Sequence, residues 1–209
     1  MPIDEILTTA GAASAFLLIL GMLAGRSKSQ WRIWPAPPVG SLKSFAFWTL
    51  FRTLNVSVLA LATERFLTTL SGPMLPLRIV LAVAAFVAGI AYAYTLWSLG
   101  RKATYCQASG LQTSGIYRWT RNPQYATAIL AFTALGLAAW SFDATALAAA
   151  VVSVYAMMAA TEEPWLEDRY GSAYLAYKAK VPRFFSIRRT AAELHALIPA
   201  FVSNARGKR

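Results

Sequence analysis

Four stretches of this 209-residue chain contain no Asp, Glu, Lys or Arg at all: Ile6–Gly25, Ile79–Leu99, Tyr125–Phe142 and Ala144–Thr161. Each is near the roughly 20 residues a helix needs to cross about 30 Å of hydrocarbon. A fifth stretch, Phe45–Thr63, carries Arg52 and Asn55 but is otherwise apolar. The pattern predicts an all-α integral membrane protein with about five transmembrane helices. A large soluble helical bundle is the alternative, and 57% hydrophobic residues gathered into uncharged blocks argue against it. The first block does not read as a cleaved signal peptide. Its flank, Met1-Pro2-Ile3-Asp4-Glu5, lacks positive charge, and its apolar run is too long.

The formal net charge of +11 would suit a nucleic-acid partner if the charge were gathered on a soluble face. Its distribution says otherwise. Seventeen of the 20 basic residues fall after helix one, between helices three and four, or after helix five. Arg65 and Arg78 fall on the other side, with Asp4, Glu5, Glu64 and Asp143. The positive-inside rule then places the N-terminus outside and the C-terminus in the cytoplasm, in a membrane read as a bacterial inner membrane. Basic residues beside the bilayer also attract anionic lipid headgroups. No nucleic-acid partner is expected.

Cys106 and His195 are each the only residue of their type. No intrachain disulfide can form, and neither a cysteine metal cluster nor His-plus-Glu zinc chemistry is expected. A Ser-His-Asp triad would have to recruit His195 from a polar tail. The chain divides into helices one to three with a Pro-rich loop (1–100), a core of helices four and five with their flanking segments (101–189), and a basic tail (190–209). Trp31, Trp34, Trp48, Trp97, Trp119, Trp140 and Trp165 fall near helix ends or loops, where interfacial anchoring is the default role.

The chemistry gathers at the two ends of one hairpin. Gly115-Ile116-Tyr117-Arg118-Trp119-Thr120-Arg121-Asn122-Pro123-Gln124-Tyr125 precedes helix four, and Glu162-Glu163-Pro164-Trp165-Leu166 follows helix five. Both helices rise about 27 Å, so Asn122 and Glu162 return to similar depth. Asn122 suits an N-cap and Pro123 the first helical turn, which presents free N–H groups for an anion. Arg118 and Arg121 add cationic donors; Tyr117 and Tyr125 add hydroxyls. Capping plus topology charge is the plain reading of that cluster. Adjacent Glu162 and Glu163 point about 100° apart, so at least one faces the bundle. A salt bridge to Arg121 or Arg169 is the plain reading of those carboxylates. A cationic patch facing two carboxylates suggests a site for a zwitterionic cofactor. Tyr170, Tyr174 and Tyr177 then recur at helical spacing, which predicts a cytoplasmic amphipathic helix on the membrane surface, ended by Pro182.

The segment from Gly110 to Tyr125 resembles the first motif of the isoprenylcysteine carboxyl methyltransferase and phospholipid N-methyltransferase family. Glu162-Glu163, Leu166, Tyr170-Gly171, Tyr174, Tyr177 and Val181-Pro182 resemble the second. The resemblance covers about Leu99 to Phe185. It implies a membrane-embedded methyltransferase that uses S-adenosylmethionine, with a lipid-like or small hydrophobic acceptor among the membrane lipids. By position, Tyr117, Arg121, Asn122, Pro123 and Tyr125 would line the cofactor. Glu162 and Glu163 would hold its ribose or amino group, and Lys180 and Arg183 would lie near cofactor and acceptor. Glu162, Glu163, Lys180 and Arg183 form the implied catalytic set. Asn122 stands where family members often carry His, so it does not titrate. Lys180 stands where the isoprenylcysteine enzymes carry Arg, losing the fork that suits a carboxylate. A phospholipid amine therefore ranks ahead of a prenylated carboxylate, with a small thiol behind. A non-catalytic lipid- or partner-binding protein and a small transporter are the other readings. The transporter would want polar groups at mid-bilayer, where only Arg52 and Asn55 qualify.

Overall fold

The computed structural model describes residues 2–27, 31–35, 37–100 and 110–185. The expectations for Cys106, His195 and the 190–209 tail lie outside the described residues. Five α-helices carry the fold, with no strand among the described residues: α1 (Ile3–Ser27), α2 (Leu42–Thr68), α3 (Leu75–Leu99), α4 (Pro123–Ala139) and α5 (Phe142–Lys180). A 3-10 turn (Gly115–Arg118) precedes α4. The protein is an all-α membrane protein. α1, α2, α3 and α5 are long and apolar enough to cross a bilayer, while α4 is a shorter apolar helix of 17 residues.

Local chemistry sets the boundaries. Asp4 and Glu5 occupy the first turn of α1 and Arg26 its last, both favourable to the helix dipole. Ser41 caps α2, its Oγ accepting from the Ser44 N–H at 3.2 Å. Pro sits in the first turn of both α3 and α4, where no intrahelical N–H is lost. Trp140, in the left-handed region, ends α4, and Ser141 turns the chain into α5. Gly136 lets this hairpin close. A Cβ there would lie 2.5 Å from Ala148 Cβ, and the Thr145 hydroxyl donates to the Gly136 carbonyl at 3.0 Å.

α1 packs on α2 and α5; α4 packs on α2, α3 and α5. The core between them holds Leu18 of α1, Phe47, Leu54 and Val58 of α2, Ala128 of α4, and Val151, Val154 and Met158 of α5. An aromatic relay joins Trp34, Phe47, Phe51, Tyr155 and Phe132 through the bundle. α3 is peripheral. Only Arg78, Ala85 and Thr95 are buried on it, and Val80, Phe86, Val87 and Trp97 face outward as lipid-exposed residues do.

One expectation is refined here and another changes. The segment after the last span is helical and follows the span directly, two helical stretches meeting at a kink at Gly171. α5 runs 39 residues through Pro164, with one residue of non-helical geometry at Gly171 (φ 54°, ψ −131°). It stops at Lys180 because Val181 precedes Pro182 and takes extended geometry. Trp34 does not serve as an interfacial anchor. It is 3% exposed and stacks on Phe47 at 4.9 Å, whereas Trp31, Trp97 and Trp140 are exposed, as anchors require.

The bundle end bearing Asp4 and Asp143 is held by arginines. Arg65 donates to Asp4 and Asp143, each at 2.8 Å, tying α1, α2 and α5 together. Arg78, 2% exposed, donates to the carbonyls of Ala138, Phe66 and Thr69 and to the Thr69 hydroxyl.

Candidate active site

At the other end, the segment before α4 and the segment after α5 are laced together. The Arg121 N–H donates to the Pro182 carbonyl at 2.9 Å. The Thr120 hydroxyl and the Asn122 amide donate to the Arg183 carbonyl, at 2.9 and 3.2 Å. The Tyr177 hydroxyl donates to the Tyr117 carbonyl at 2.6 Å. Asn122 holds the cap position of α4 by its backbone, its carbonyl accepting from the Ala126 N–H. Its side chain makes no cap bond and is spent on the lacing instead.

Glu163 is the hub. It is 3% exposed and accepts from Arg121 Nη2 at 2.7 Å. It also takes a fork from Arg183, Nε and Nη2 each donating at 2.8 Å, with Lys178 Nζ at 3.6 Å. A buried carboxylate is tolerated when its lone pairs are filled in this way. The Glu163 hydrogen bond is the main cause that raises the Arg183 pKa above its ordinary value. Lys178 also pairs with Glu167.

Glu162, one residue earlier, has a different environment. It points across the hairpin and accepts from the Tyr125 hydroxyl at 2.5 Å. The Trp34 indole N–H is buried with no partner at hydrogen-bonding geometry, yet close enough to Glu162 to interact with it. Glu162 lines a cavity of about 250 Å³. Tyr117, Arg121, Asn122 and Pro123 line the same cavity, so the two sequence clusters meet there. The opposite wall comes from Leu111 and Gln112 and from Trp165, Tyr170, Tyr174 and Tyr177 of α5. The tyrosine stripe thus faces inward rather than onto a membrane surface: Tyr174 is 1% exposed and Tyr177 9%. Burial, and then the Glu162 charge, raises the Tyr117 phenol above its usual range.

Among the described residues, three buried polar atoms on the cavity wall lack a hydrogen-bond partner: Arg121 Nε, Gln124 Oε1 and Tyr174 Oη. Native interiors rarely leave such atoms unsatisfied, and a polar guest would satisfy them. Lys180 and Arg183 are not on the wall. Lys180 is exposed, and Arg183 is held by Glu163. Gln124, Trp165 and Leu111 line the cavity without having been singled out as site residues from the sequence. Leu111 and Gln124 lie in the segment that resembles the first motif, and Trp165 lies in the cluster after helix five, which is the signal the sequence offered for them. No group of three His, Cys, Asp or Glu side chains among the described residues could hold a metal ion.

Residues 77–173 match a protein-family model described as phospholipid methyltransferase. No curated protein matches the chain, and no solved structure does. The matched stretch starts in α3, passes through Arg121-Asn122-Pro123 and both glutamates, and ends beside Tyr174. Over those residues the chain is similar to the phospholipid methyltransferase family, consistent with the resemblance that its two motifs carry.

Proposed function

We propose that the protein transfers a methyl group from S-adenosylmethionine to a phospholipid amine, in the cavity between the α4 entrance and the α5 exit. The observation that carries this reading is the pairing of the Glu162 carboxylate, held by the Tyr125 hydroxyl beside the Trp34 N–H, with polar atoms around one cavity that have no partner among the described residues. The cofactor is a zwitterion with a sulfonium, a ribose diol and an aromatic base. The wall offers each of these a counterpart: the Glu162 carboxylate for the diol or ammonium, Arg121 and Gln124 for polar ends, and aromatic faces for the sulfonium. When bound, the cofactor supplies an electrophilic methyl carbon.

The residues of this chain do the rest. Tyr125 fixes the Glu162 carboxylate by its 2.5 Å bond. Glu162 accepts the proton that an ammonium acceptor must lose before its nitrogen can attack. Glu163 touches none of the reacting groups; it positions Arg121 and closes the lacing. Alignment and exclusion of water supply most of what such a displacement needs.

A lipid-like acceptor has a route in. An apolar crevice of about 760 Å³ opens between α2 and α3, floored by Ala128, Phe132 and Tyr155. The Tyr155 ring lies 6.2 Å from that of Tyr125, which holds Glu162. Tyr155, Tyr92 and Asn55 share a hydrogen-bond chain at the crevice wall. An acyl chain in the crevice would bring its headgroup toward the cavity, and placing that cavity at the cytoplasmic face follows from the charge distribution.

The test is methyl transfer from radiolabelled S-adenosylmethionine by the purified protein in mixed-lipid vesicles. Base-stable label on lipid headgroups supports the proposal. Base-labile label would assign a carboxyl acceptor instead. No label together with no cofactor binding would overturn the enzymatic reading in favour of a lipid-binding protein.

A further inference from the structure

A second, smaller cavity of about 180 Å³ lies on the other side of the α5 turn that carries the glutamates. It is bounded by Met22, Gly25 and Arg26 of α1, by Arg32 and Trp34, and by Ala160, Thr161 and Pro164. None of its lining residues is acidic. Arg26 and Arg32 make no ion pair among the described residues, unlike Arg65, Arg121 and Arg183. Charge of one sign around a cleft, with no internal partner, recruits an anion from outside.

The cavity is built by sequence rather than left by loose packing. Gly21 and Gly25 stand four residues apart on one face of α1, a spacing that often docks a second helix. Here it docks a loop. A Cβ at Gly21 would lie 2.4 Å from Ile33 Cδ1, and one at Gly25 would lie 2.9 Å from Arg32 Cα. The two glycines therefore seat residues 31–34 directly on the helix and bring Arg32 beside Arg26. Trp34 roofs the cleft from the core side, pinned against Phe47.

We infer that this cleft binds the phosphodiester headgroup of an anionic membrane phospholipid. Three observations select that occupant. The cleft sits where the uncharged block Ile6–Gly25 ends, at headgroup depth for a helix spanning the bilayer. Its volume is about six times the ~30 Å³ share of one water molecule, room for a headgroup but not for a lipid. On the helix stripe that ends in Arg26, α1 exposes Leu23 and Phe16, an apolar track for the acyl chains. Basic pockets between spanning helices recognise anionic headgroups by this combination. The inference does not depend on methyl transfer.

Native mass spectrometry of the full chain, released from detergent with defined lipids, tests it. The probes are phosphatidylglycerol and phosphatidylcholine of matched chains. The wild type is expected to retain one phosphatidylglycerol about tenfold more strongly than phosphatidylcholine. Arg26→Gln with Arg32→Gln should abolish that preference, and Arg26→Lys with Arg32→Lys should keep most of it. Arg118→Gln with Arg169→Gln removes equal charge elsewhere on the same end and should leave it intact. An unchanged preference in the first pair, or an equal loss in the control pair, would overturn the site. Displacement of the lipid by millimolar inorganic phosphate alone would overturn the lipid assignment and leave a free-anion site.

Discussion

The two ends of this bundle each bury a charged hub, and they use it differently. At the Asp143 end, Arg78 is 2% exposed and its guanidinium is filled by backbone carbonyls and one hydroxyl. Nothing around it is left wanting a partner except Glu64 Oε2, which lies 3.3 Å from Arg65 Nη1 as an ion pair. At the other end, Glu163 is equally buried and equally well paired, but the lacing it holds encloses a cavity. On that cavity wall sit atoms of Arg121, Gln124 and Tyr174 with no partner among the described residues, and a second carboxylate held by the Tyr125 hydroxyl rather than by a guanidinium. A satisfied buried charge is architecture. A partly satisfied polar shell around open space is what a polar guest would require, and it is the basis of the proposed cofactor site. Adjacent residues, Glu162 and Glu163, divide along that line.

The sharpest way to break this comparison is Glu163→Gln. It strips two guanidiniums of a buried counter-charge, and such a loss costs about 3–5 kcal/mol. The measurement is thermal unfolding in detergent, with a large fall in midpoint expected. A variant as stable as the wild type would mean that the hub is not structural. Arg78→Met comes next. It leaves several carbonyls unpaired at the Asp143 end and should destabilise by roughly 2–4 kcal/mol. Cofactor affinity of the surviving folded protein should match the wild type, and a matching loss of affinity would show that the two ends are coupled.

Glu162→Gln should reverse the pattern. Its unfolding free energy should stay within about 1 kcal/mol of the wild type, because no guanidinium depends on it. Binding of S-adenosylmethionine by calorimetry should weaken about 30- to 100-fold, the loss of a charge-assisted bond. A destabilised variant with normal binding would interchange the roles of the two glutamates. The smallest effect belongs to Tyr174→Phe. The hydroxyl it removes has no partner among the described residues, so stability should hold or rise slightly. Cofactor affinity should fall about fivefold if the guest satisfies that hydroxyl. Unchanged affinity would remove Tyr174 from the site and leave it as a packing residue.

Much of this was legible in the residues, for reasons that act along the chain. Uncharged runs of helix-spanning length announce the spans because hydrocarbon penalises every exposed charge and every unpaired backbone group. Pro123 and Pro182 mark an entry and an exit by steric rules that need no tertiary partner. The chain was less informative wherever two distant segments compete for one group. Asn122 reads as a side-chain cap, but the Arg183 carbonyl takes its amide. The Tyr170-Tyr174-Tyr177 stripe reads as a membrane-surface face, since its period says which residues share a side and not what covers that side. Trp34 reads as an anchor, yet the glycine face of α1 turns its loop inward.

The sequence by itself determined the class of protein, the hairpin that returns its two polar clusters to one depth, and the family motifs they carry. The first two follow from composition, period and rise per residue, which are local quantities; the motifs rest on the resemblance. The tertiary structure alone decided which glutamate is architecture and which faces the cavity. Both sit at the same bilayer depth in identical chain chemistry. Their difference comes from what lies across the hairpin: two arginines from distant segments in one direction, and a tyrosine beside open space in the other.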